Sequence, residues 1–165
     1  MKQYVIFFVL ALVALLIWVP KLFMQNTNPT LQSEEWQRST VKVGEISVDV
    51  RLAISPEQHR QGLSGTESLG ETEGMLFLFD KKSDSPPVFW MKDMLIPLDF
   101  IWIKDNKVFH IHQDIPFPTP GTSDTELKLY APNGPVDYVL EVNAGFIKKH
   151  NVVIGTEVDL SELEQ

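Results

Sequence analysis

The chain has 165 residues, 44% of them hydrophobic, which is enough for one domain of ordinary size with its own core. It contains no cysteine, so disulfides and a lipid-modified cysteine are excluded. Residues 1–24 carry two lysines and no acid, so the rest of the chain holds all 22 acids against the other 12 bases; this net charge of −10 disfavours nucleic acid as a partner.

The first predicted element is a membrane helix. Residues 4–19 are apolar and uncharged, and the apolar character continues to Met24. At about 1.5 Å per residue, such a helix comes close to spanning a bilayer core of about 30 Å. The small-residue site that signal peptidase needs is missing between Ile17 and Asn28, so an anchor over residues 1–24 is favoured over a cleaved signal peptide and secretion. Lys2 precedes the apolar run and Lys21 follows it, a weak bias that predicts an extracytoplasmic domain.

A polar tether and a folded domain follow. Residues 25–40 are polar and include Pro29, as expected of a linker, and the domain is predicted over residues 41–161. Hydrophobic residues alternate from Val41 to Leu52 around Gly44, which predicts a β-hairpin with one buried face. Ser55, Pro56 and Gln58 then form a helix-start pattern, which predicts a short helix over Pro56–Gln61.

The rest of the domain reads mainly as short strands. They are predicted at residues 75–79, 88–91, 98–103, 107–112, 127–131, 136–142 and 152–160, with a second short helix at 144–150 and a long proline-rich loop at 114–125. The sequence therefore predicts a mainly β (α+β) fold, a small barrel or sandwich of eight or nine short strands with one or two short helices, after an N-terminal transmembrane helix.

Asp99 is the unusual residue of the chain, because it is the only charge in the apolar strand predicted at 98–103. In that strand Leu98, Phe100 and Trp102 would line one face, and Asp99 would share the other with two isoleucines. Both faces are apolar, so the strand is expected to be covered on both sides and Asp99 to be buried. A buried carboxylate must be paired, hydrogen-bonded or protonated.

Several ordered motifs resemble a known family. They are Arg60-x-Gly62-Leu63, Gly74-Met75-Leu76-Phe77, Phe89-Trp90-Met91-Lys92 followed by Ile96-Pro97-Leu98-Asp99, and Tyr138 to Gly145. Over about Val43 to Leu160 the chain resembles the DUF192 family, also called UPF0127. The resemblance implies a small, mainly β domain of unknown function that often follows a signal or membrane segment. The family more often has asparagine where this chain has Asp93.

The candidate ligand-binding residues are the polar members of these motifs together with one tryptophan: Arg60, Trp90, Lys92, Asp99, Glu141 and Asn143. In the structural interpretation, which is favoured, Asp99 caps a strand end or accepts a cation from Arg60 or Lys92, and Glu141 faces solvent. In the functional interpretation, Asp99 and Glu141 form an acid/base pair, with Arg60 or Lys92 holding an anion.

Two further groups of side chains are candidates for a functional site. His110, His112 and Asp114 alternate along one predicted strand and offer metal-ligand types, but residues on one flat strand do not usually converge, so no metal is the favoured prediction. Aromatic residues could line a cleft or form core: Phe89, Trp90, Trp102, Phe109, Phe117 and Tyr130. No phosphate loop, dinucleotide motif or serine-nucleophile motif occurs, so no cofactor is predicted.

Three functions remain from the sequence. The leading one is a non-catalytic, membrane-anchored extracytoplasmic module that binds a ligand or protein of the cell envelope. The second is an envelope-polymer hydrolase using Asp99 and Glu141 as paired carboxylates. The third is a structural subunit of an envelope complex, which would show a large exposed apolar patch instead of a pocket.

Overall fold

The computed structural model describes residues 36–80 and 84–164. Within these residues, no helix has the length and hydropathy needed to cross a membrane. The predicted anchor at residues 1–24, and most of the predicted tether, lie outside the described part of the chain.

Seven strands and two short α-helices make up the described fold. The strands are β1 (Arg38–Val43), β2 (Ile46–Ala53), β3 (Glu73–Leu78), β4 (Leu98–Lys104), β5 (Lys107–Ile115), β6 (Tyr138–Asn143) and β7 (Val158–Asp159). The helices are α1 (Pro56–Gln61) and α2 (Phe146–Lys149), and two 3₁₀ turns cover Asp124–Glu126 and Ser161–Glu164.

The strands form a single sheet in the order β5-β4-β6-β3-β2-β1-β7, curled into a half-barrel. The pair β2–β3 is parallel, and the other neighbours are antiparallel. A parallel pair needs a crossover, which here contains α1. In this strand order, β3, β6 and β4 lie in the interior of the sheet, because each has a hydrogen-bonded neighbour on both sides.

Local sequence signals explain the turns and the first helix. The β4–β5 hairpin turns at Asp105 and Asn106, which have φ values of 49° and 57°, as a tight hairpin turn between right-twisted strands requires. Helix α1 begins with the predicted capping box: the Ser55 hydroxyl accepts from the Gln58 N–H, and the Gln58 side chain accepts from the Ser55 N–H.

Each face of the sheet carries its own core. The valine-rich core includes Val41, Val48, Val50, Leu76, Ile101, Leu140, Phe146 and Ile147. The aromatic core includes Leu63, Met75, Phe77, Met94, Leu98, Phe100, Trp102, Tyr130 and Val139. The alternation predicted for 98–103 is confirmed, because Leu98, Phe100 and Trp102 belong to one core and Ile101 and Ile103 to the other.

The mainly β prediction is confirmed, but the count of eight or nine strands is too high. Residues 88–91 and 127–131 were predicted as strands and instead meet in one isolated bridge between Phe89 and Tyr130. Pro86 and Pro87 precede the first segment, and a positive φ of 56° at Asp93 follows it, so regular pairing stops after one residue pair. Strand β1 begins at Arg38 and so includes three residues of the predicted tether.

Gly74 on β3 is required by the close approach of β6. A methyl group added at Gly74 would lie 2.5 Å from the backbone carbonyl oxygen of Glu141, a distance that real Cβ atoms essentially never show. Gly74 therefore allows the backbones of β3 and β6 to approach closely at Glu141, the polar residue in the middle of the sheet.

Candidate functional site

Asp99 is the second residue of β4 and is fully buried, with 0% of its surface exposed. Its Oδ1 accepts a hydrogen bond of 2.8 Å from the Asp114 N–H, and its Oδ2 accepts one of 2.9 Å from the Ile147 N–H in α2. Charge-assisted bonds of this kind compensate for the loss of water around a carboxylate. Asp99 therefore ties β4 to the irregular end of β5 and to the first turn of α2.

The cationic partners predicted for Asp99 are wrong. Arg60 is exposed and pairs with Glu57 at 2.8 Å, within the same helix. Lys92 pairs with Asp124 at 2.5 Å, and this hydrogen bond raises the pKa of the lysine. The backbone N–H groups of Asp114 and Ile147 bind the carboxylate in place of both cations.

The structure also contradicts the paired-carboxylate hypothesis. Asp99 alternates with Leu98 and Phe100 of the aromatic core, so its side chain points to the opposite face, where it meets Ile147. Glu141 lies between Leu140 and Val142 of the valine-rich core and therefore points to the aromatic side. The two carboxyl groups lie on opposite faces of the sheet and cannot act on one substrate.

Glu141 is the unexpected acid of the structure. It was predicted to face solvent, but it lies on interior strand β6, directly between Met75 on β3 and Phe100 on β4, and is only 4% exposed. Burial raises the pKa of its carboxyl to about 8. Among the described residues its side chain has no hydrogen-bond or ion-pair partner. Glu141 is therefore mostly protonated and neutral at pH 7.

The carboxyl of Glu141 faces a cavity of about 300 Å³ on the aromatic side of the sheet, here called the Glu141 pocket. The pocket lies under α1, the loop that follows it, and the segment after Pro86. Its apolar lining includes Leu63, Phe77, Phe79, Val88, Phe89, Trp90 and Met94, and its polar lining includes His59, Arg60, Gln61, Ser64, Lys92 and Glu141.

Aromatic rings hold the pocket walls in place. The ring of Phe89 packs edge-on against Phe77 at 4.8 Å and against Trp102 at 5.3 Å, in the arrangement that aromatic pairs prefer. Phe89 is also the residue whose backbone bridges to Tyr130, with hydrogen bonds of 2.8 and 2.9 Å. This single anchored residue fixes the segment that forms the wall, and Trp90 beside it remains 42% exposed.

Two polar side chains at the rim, His59 and Ser64, have hydrogen-bond partners in the protein. His59 Nε2 lies 3.0 Å from the carbonyl oxygen of Ala53, which can only accept, so Nε2 donates and the ring orientation is fixed. The Ser64 hydroxyl donates to the Lys92 carbonyl at 2.9 Å, which joins the α1 loop to the opposite wall. Among the described residues that line the pocket, Glu141 is the only acid, and its carboxyl has no hydrogen-bond or ion-pair partner.

Asn143, the last of the predicted ligand-binding residues, has a structural role. Its Nδ2 donates to the carbonyl oxygens of Leu69 and Gly70 at 3.0 and 2.8 Å. These bonds hold the loop before β3 against the end of β6. Asn143 does not line the Glu141 pocket.

The three-ligand metal hypothesis is wrong for the described residues, where no group of three suitable side chains assembles. His110 and His112 are neighbours, with ring centroids 4.8 Å apart, but β5 is irregular at Asp114, where φ is 51° and the pairing with β4 shifts register. His112 Nδ1 accepts a hydrogen bond of 2.9 Å from the Trp102 indole N–H, and burial, followed by His110 and Lys128, lowers the pKa of His112. The ring is thus held neutral as part of the aromatic core.

The other predicted aromatic residues divide by location. Phe89 and Trp90 line the pocket, whereas Trp102 and Tyr130 are buried in the aromatic core. Phe117 lines a separate cavity of about 200 Å³ together with Leu95, and Phe109 is partly exposed on β5. Of the predicted aromatic residues, Phe89 and Trp90 line the Glu141 pocket and Phe117 lines the smaller cavity.

Asp93 explains why asparagine suits this position. Its φ of 56° places it in the left-handed region, which asparagine and aspartate tolerate better than most residues. Its carbonyl accepts a hydrogen bond of 2.9 Å from the Gly65 N–H. The backbone conformation at this position is therefore compatible with aspartate as well as with asparagine.

Sequence reasoning missed His59, Ser64, Phe77 and Phe79 as pocket residues. Helix α1 and strand β3 were predicted, but their relative placement depends on the parallel pairing of β2 with β3, which no local pattern reveals. The motif Arg60-x-Gly62-Leu63 was a usable signal. Two of its members, Arg60 and Leu63, line the pocket, and the Arg60 side chain is largely exposed.

Comparisons with known proteins agree with this fold. The family model DUF192, described as "Uncharacterized ACR", matches residues 39–160. A crystal structure from Sinorhizobium meliloti 1021, described as that of a proposed transcription regulator, is 28% identical with a TM-score of 0.66, and the match covers 75% of this chain and 94% of the other. A protein of unknown function from Novosphingobium aromaticivorans is 26% identical with a TM-score of 0.66, covering 78% and 89%. No curated protein matches the chain.

Proposed function

The chain belongs to the DUF192 family, and from the pocket just described we propose that it binds a small organic ligand whose polar group contacts Glu141. One observation carries the proposal: a buried carboxyl without a partner faces a cavity that is open to a ligand. Large apolar walls and one converging polar group are the usual composition of a small-molecule site.

The energetics favour binding over a purely structural role for Glu141. Buried polar groups in native proteins are nearly always hydrogen-bonded, and an exception calls for an explanation. An unsatisfied polar group costs about 1–3 kcal/mol, and more if it is charged. A ligand that hydrogen-bonds to Glu141 gains this interaction as affinity, because no described residue of the protein provides it.

The size of the pocket limits the ligand. A volume of about 300 Å³ is at the lower end of the range for ligand sites, roughly 300–1,000 Å³. It suits a compact molecule with one ring or a short chain rather than a polymer segment. This favours a ligand-binding module over a polymer hydrolase.

We further propose that the domain works at a membrane, outside the cytoplasm, on a ligand of the cell envelope. The support is the apolar, uncharged run at residues 4–19 and the polar linker after it. Regulation of transcription, the role proposed for the Sinorhizobium protein, is disfavoured here by the acidic charge of the chain, which repels phosphate backbones.

The pocket can be tested with a thermal-shift screen of cationic, neutral and anionic fragments on the full-length protein. We expect binders whose affinity, measured by calorimetry, falls at least about tenfold in Glu141→Leu and several-fold in Trp90→Ala. Leu129→Ala is the matched control, because Leu129 is 61% exposed and does not line the pocket. The proposal would be contradicted if the affinity of every binder were unchanged in both pocket variants, or if the screen found no binder.

The anchor can be tested in native membranes. We expect the full-length protein to stay with the membrane pellet through a high-salt wash and to be released by detergent, because an apolar segment of about twenty residues is held by the hydrocarbon core. A mature protein that lacks residues 1–24, or that salt removes from the membrane, would contradict the anchor. The Lys21→Ala variant is a control, since a single flanking charge should not change retention.

A further inference from the structure

We propose that the group recognised by Glu141 is the ammonium of an organic amine with an apolar substituent, and that Glu141 ionises to bind it. The inference rests on the proposed function and specifies its ligand class. It is carried by the arrangement of charges and rings in the pocket.

The charges on the lining are separated by depth. Among the described residues that line the pocket, Glu141 is the only acid, and it comes from the interior strand β6. The facing titratable groups are His59 and Arg60 from α1 and Lys92 from the opposite wall. The neighbours of Glu141 on β3 and β4, Met75 and Phe100, are uncharged.

The rim cations do not provide a partner for Glu141. Arg60 is bound to Glu57, and Lys92 is bound to Asp124, so each cation is balanced by an acid outside the pocket. Desolvation alone accounts for the raised pKa of Glu141, with no contribution from either cation. Since neither cation is paired with this carboxyl in the structure, a ligand ammonium would be its ion-pair partner.

The walls also suit a cation with an apolar substituent. Phe77, Phe79, Phe89 and Trp90 line the pocket, and aromatic faces attract ammonium groups, more strongly where water is excluded. The substituent would bury its apolar surface against the same rings. A carboxylate ligand would instead meet Glu141 as a like charge or require it to stay protonated.

Proton balance gives this ligand class a distinct signature. At pH 7 free Glu141 is mostly protonated, whereas the amine already carries its proton, so binding breaks the O–H bond of Glu141 and releases one proton to solvent. Since the pKa of Glu141 is about 8, affinity should rise about tenfold from pH 6 to pH 7 and about fivefold from pH 7 to pH 8. A neutral ligand that accepts a hydrogen bond from protonated Glu141 would lose affinity over the same range.

The experiment compares three probes of similar shape on the full-length protein: 2-phenylethylamine, 2-phenylethanol and 3-phenylpropionate. Calorimetry at pH 6, 7 and 8, in buffers of different ionisation enthalpy, measures both affinity and proton release. We expect the amine to bind at least about tenfold more tightly than the other two at pH 8, with close to one proton released at pH 6. In Glu141→Gln we expect the preference for the amine and the proton release to disappear.

The outcomes separate this inference from the proposed function. If the alcohol or the carboxylate binds more tightly than the amine and the binding still depends on Glu141, the amine inference is overturned and the pocket remains a binding site. The absence of binding by all three probes also overturns the amine inference. If the fragment screen yields no binder either, the proposed function fails with it. Leu129→Ala should match the wild-type protein with every probe, because it leaves the pocket intact.

Discussion

The free energy of unfolding of the wild-type protein is expected to fall between pH 5 and pH 8. In the Glu141→Gln variant, most of this fall is expected to disappear. In the folded state the pKa of Glu141 is about 8, and in the unfolded chain it returns to about 4.5. Between these values the folded state binds more protons than the unfolded state, so the free energy of unfolding falls as pH rises. Below about pH 4.5 both states are protonated and the penalty vanishes.

The expected size of this effect is about 3 to 4 kcal/mol between pH 5 and pH 8. Urea unfolding at half-unit pH steps would measure it, with Glu45→Gln as control because Glu45 is exposed in the β1–β2 turn. The control should follow the wild-type curve. If Glu141→Gln also follows it, the buried, unpaired state of Glu141 is refuted.

Replacing Asp99 by alanine is expected to cause the largest loss of stability among single substitutions in the core polar groups, about 3–5 kcal/mol. The substitution removes the acceptor of two backbone N–H groups, the buried one of Ile147 and the partly buried one of Asp114. It also leaves a cavity under α2. Asp99→Asn should cost less, because the amide keeps one acceptor oxygen at the same position.

Urea unfolding at pH 7 would measure the Asp99 effect, and hydrogen exchange would localise it. In Asp99→Ala we expect hydrogen exchange to accelerate at the amides of Asp114 and Ile147 more than at the amides of the β1–β2 hairpin. Asp159→Asn is the matched control, because Asp159 is an exposed acid that accepts from the Ser161 N–H and should contribute less than about 1 kcal/mol. A loss within 1 kcal/mol for Asp99→Ala would show that its two bonds are not important for stability.

Sequence patterns predicted the elements whose signals are local. The β1–β2 hairpin, helix α1 with its capping box and the two-sided strand at Asp99 all follow from residue types within a few positions. The weak strands at 88–91 and 127–131 were overpredicted, since hydrophobic alternation does not show that a segment meets its partner at only one residue pair.

The site was harder to predict because its chemistry depends on which strands are interior. Glu141 and Asp137 alternate in the same way along the sequence, yet only Glu141 is covered on its face by α1 and the Phe89 segment. For Asp99 burial was predicted correctly, but its partners were not. Backbone N–H groups are present at every residue, so sequence alone does not show which of them will converge on a carboxylate.

The parallel pairing of β2 with β3, and the pairing of β3 with β6, have a consequence for how the pocket forms. Its lining runs from His59 to Glu141, so the cavity depends on contacts between segments far apart along the chain. Closing such long loops costs entropy before the contacts compensate for it, which makes these steps slow compared with hairpin formation. A chain that has formed only its hairpins therefore has no pocket, and a ligand selects the fully folded molecule. A higher ligand concentration would then increase the folded fraction by mass action, and so reduce the fraction of the protein that is degraded by proteases.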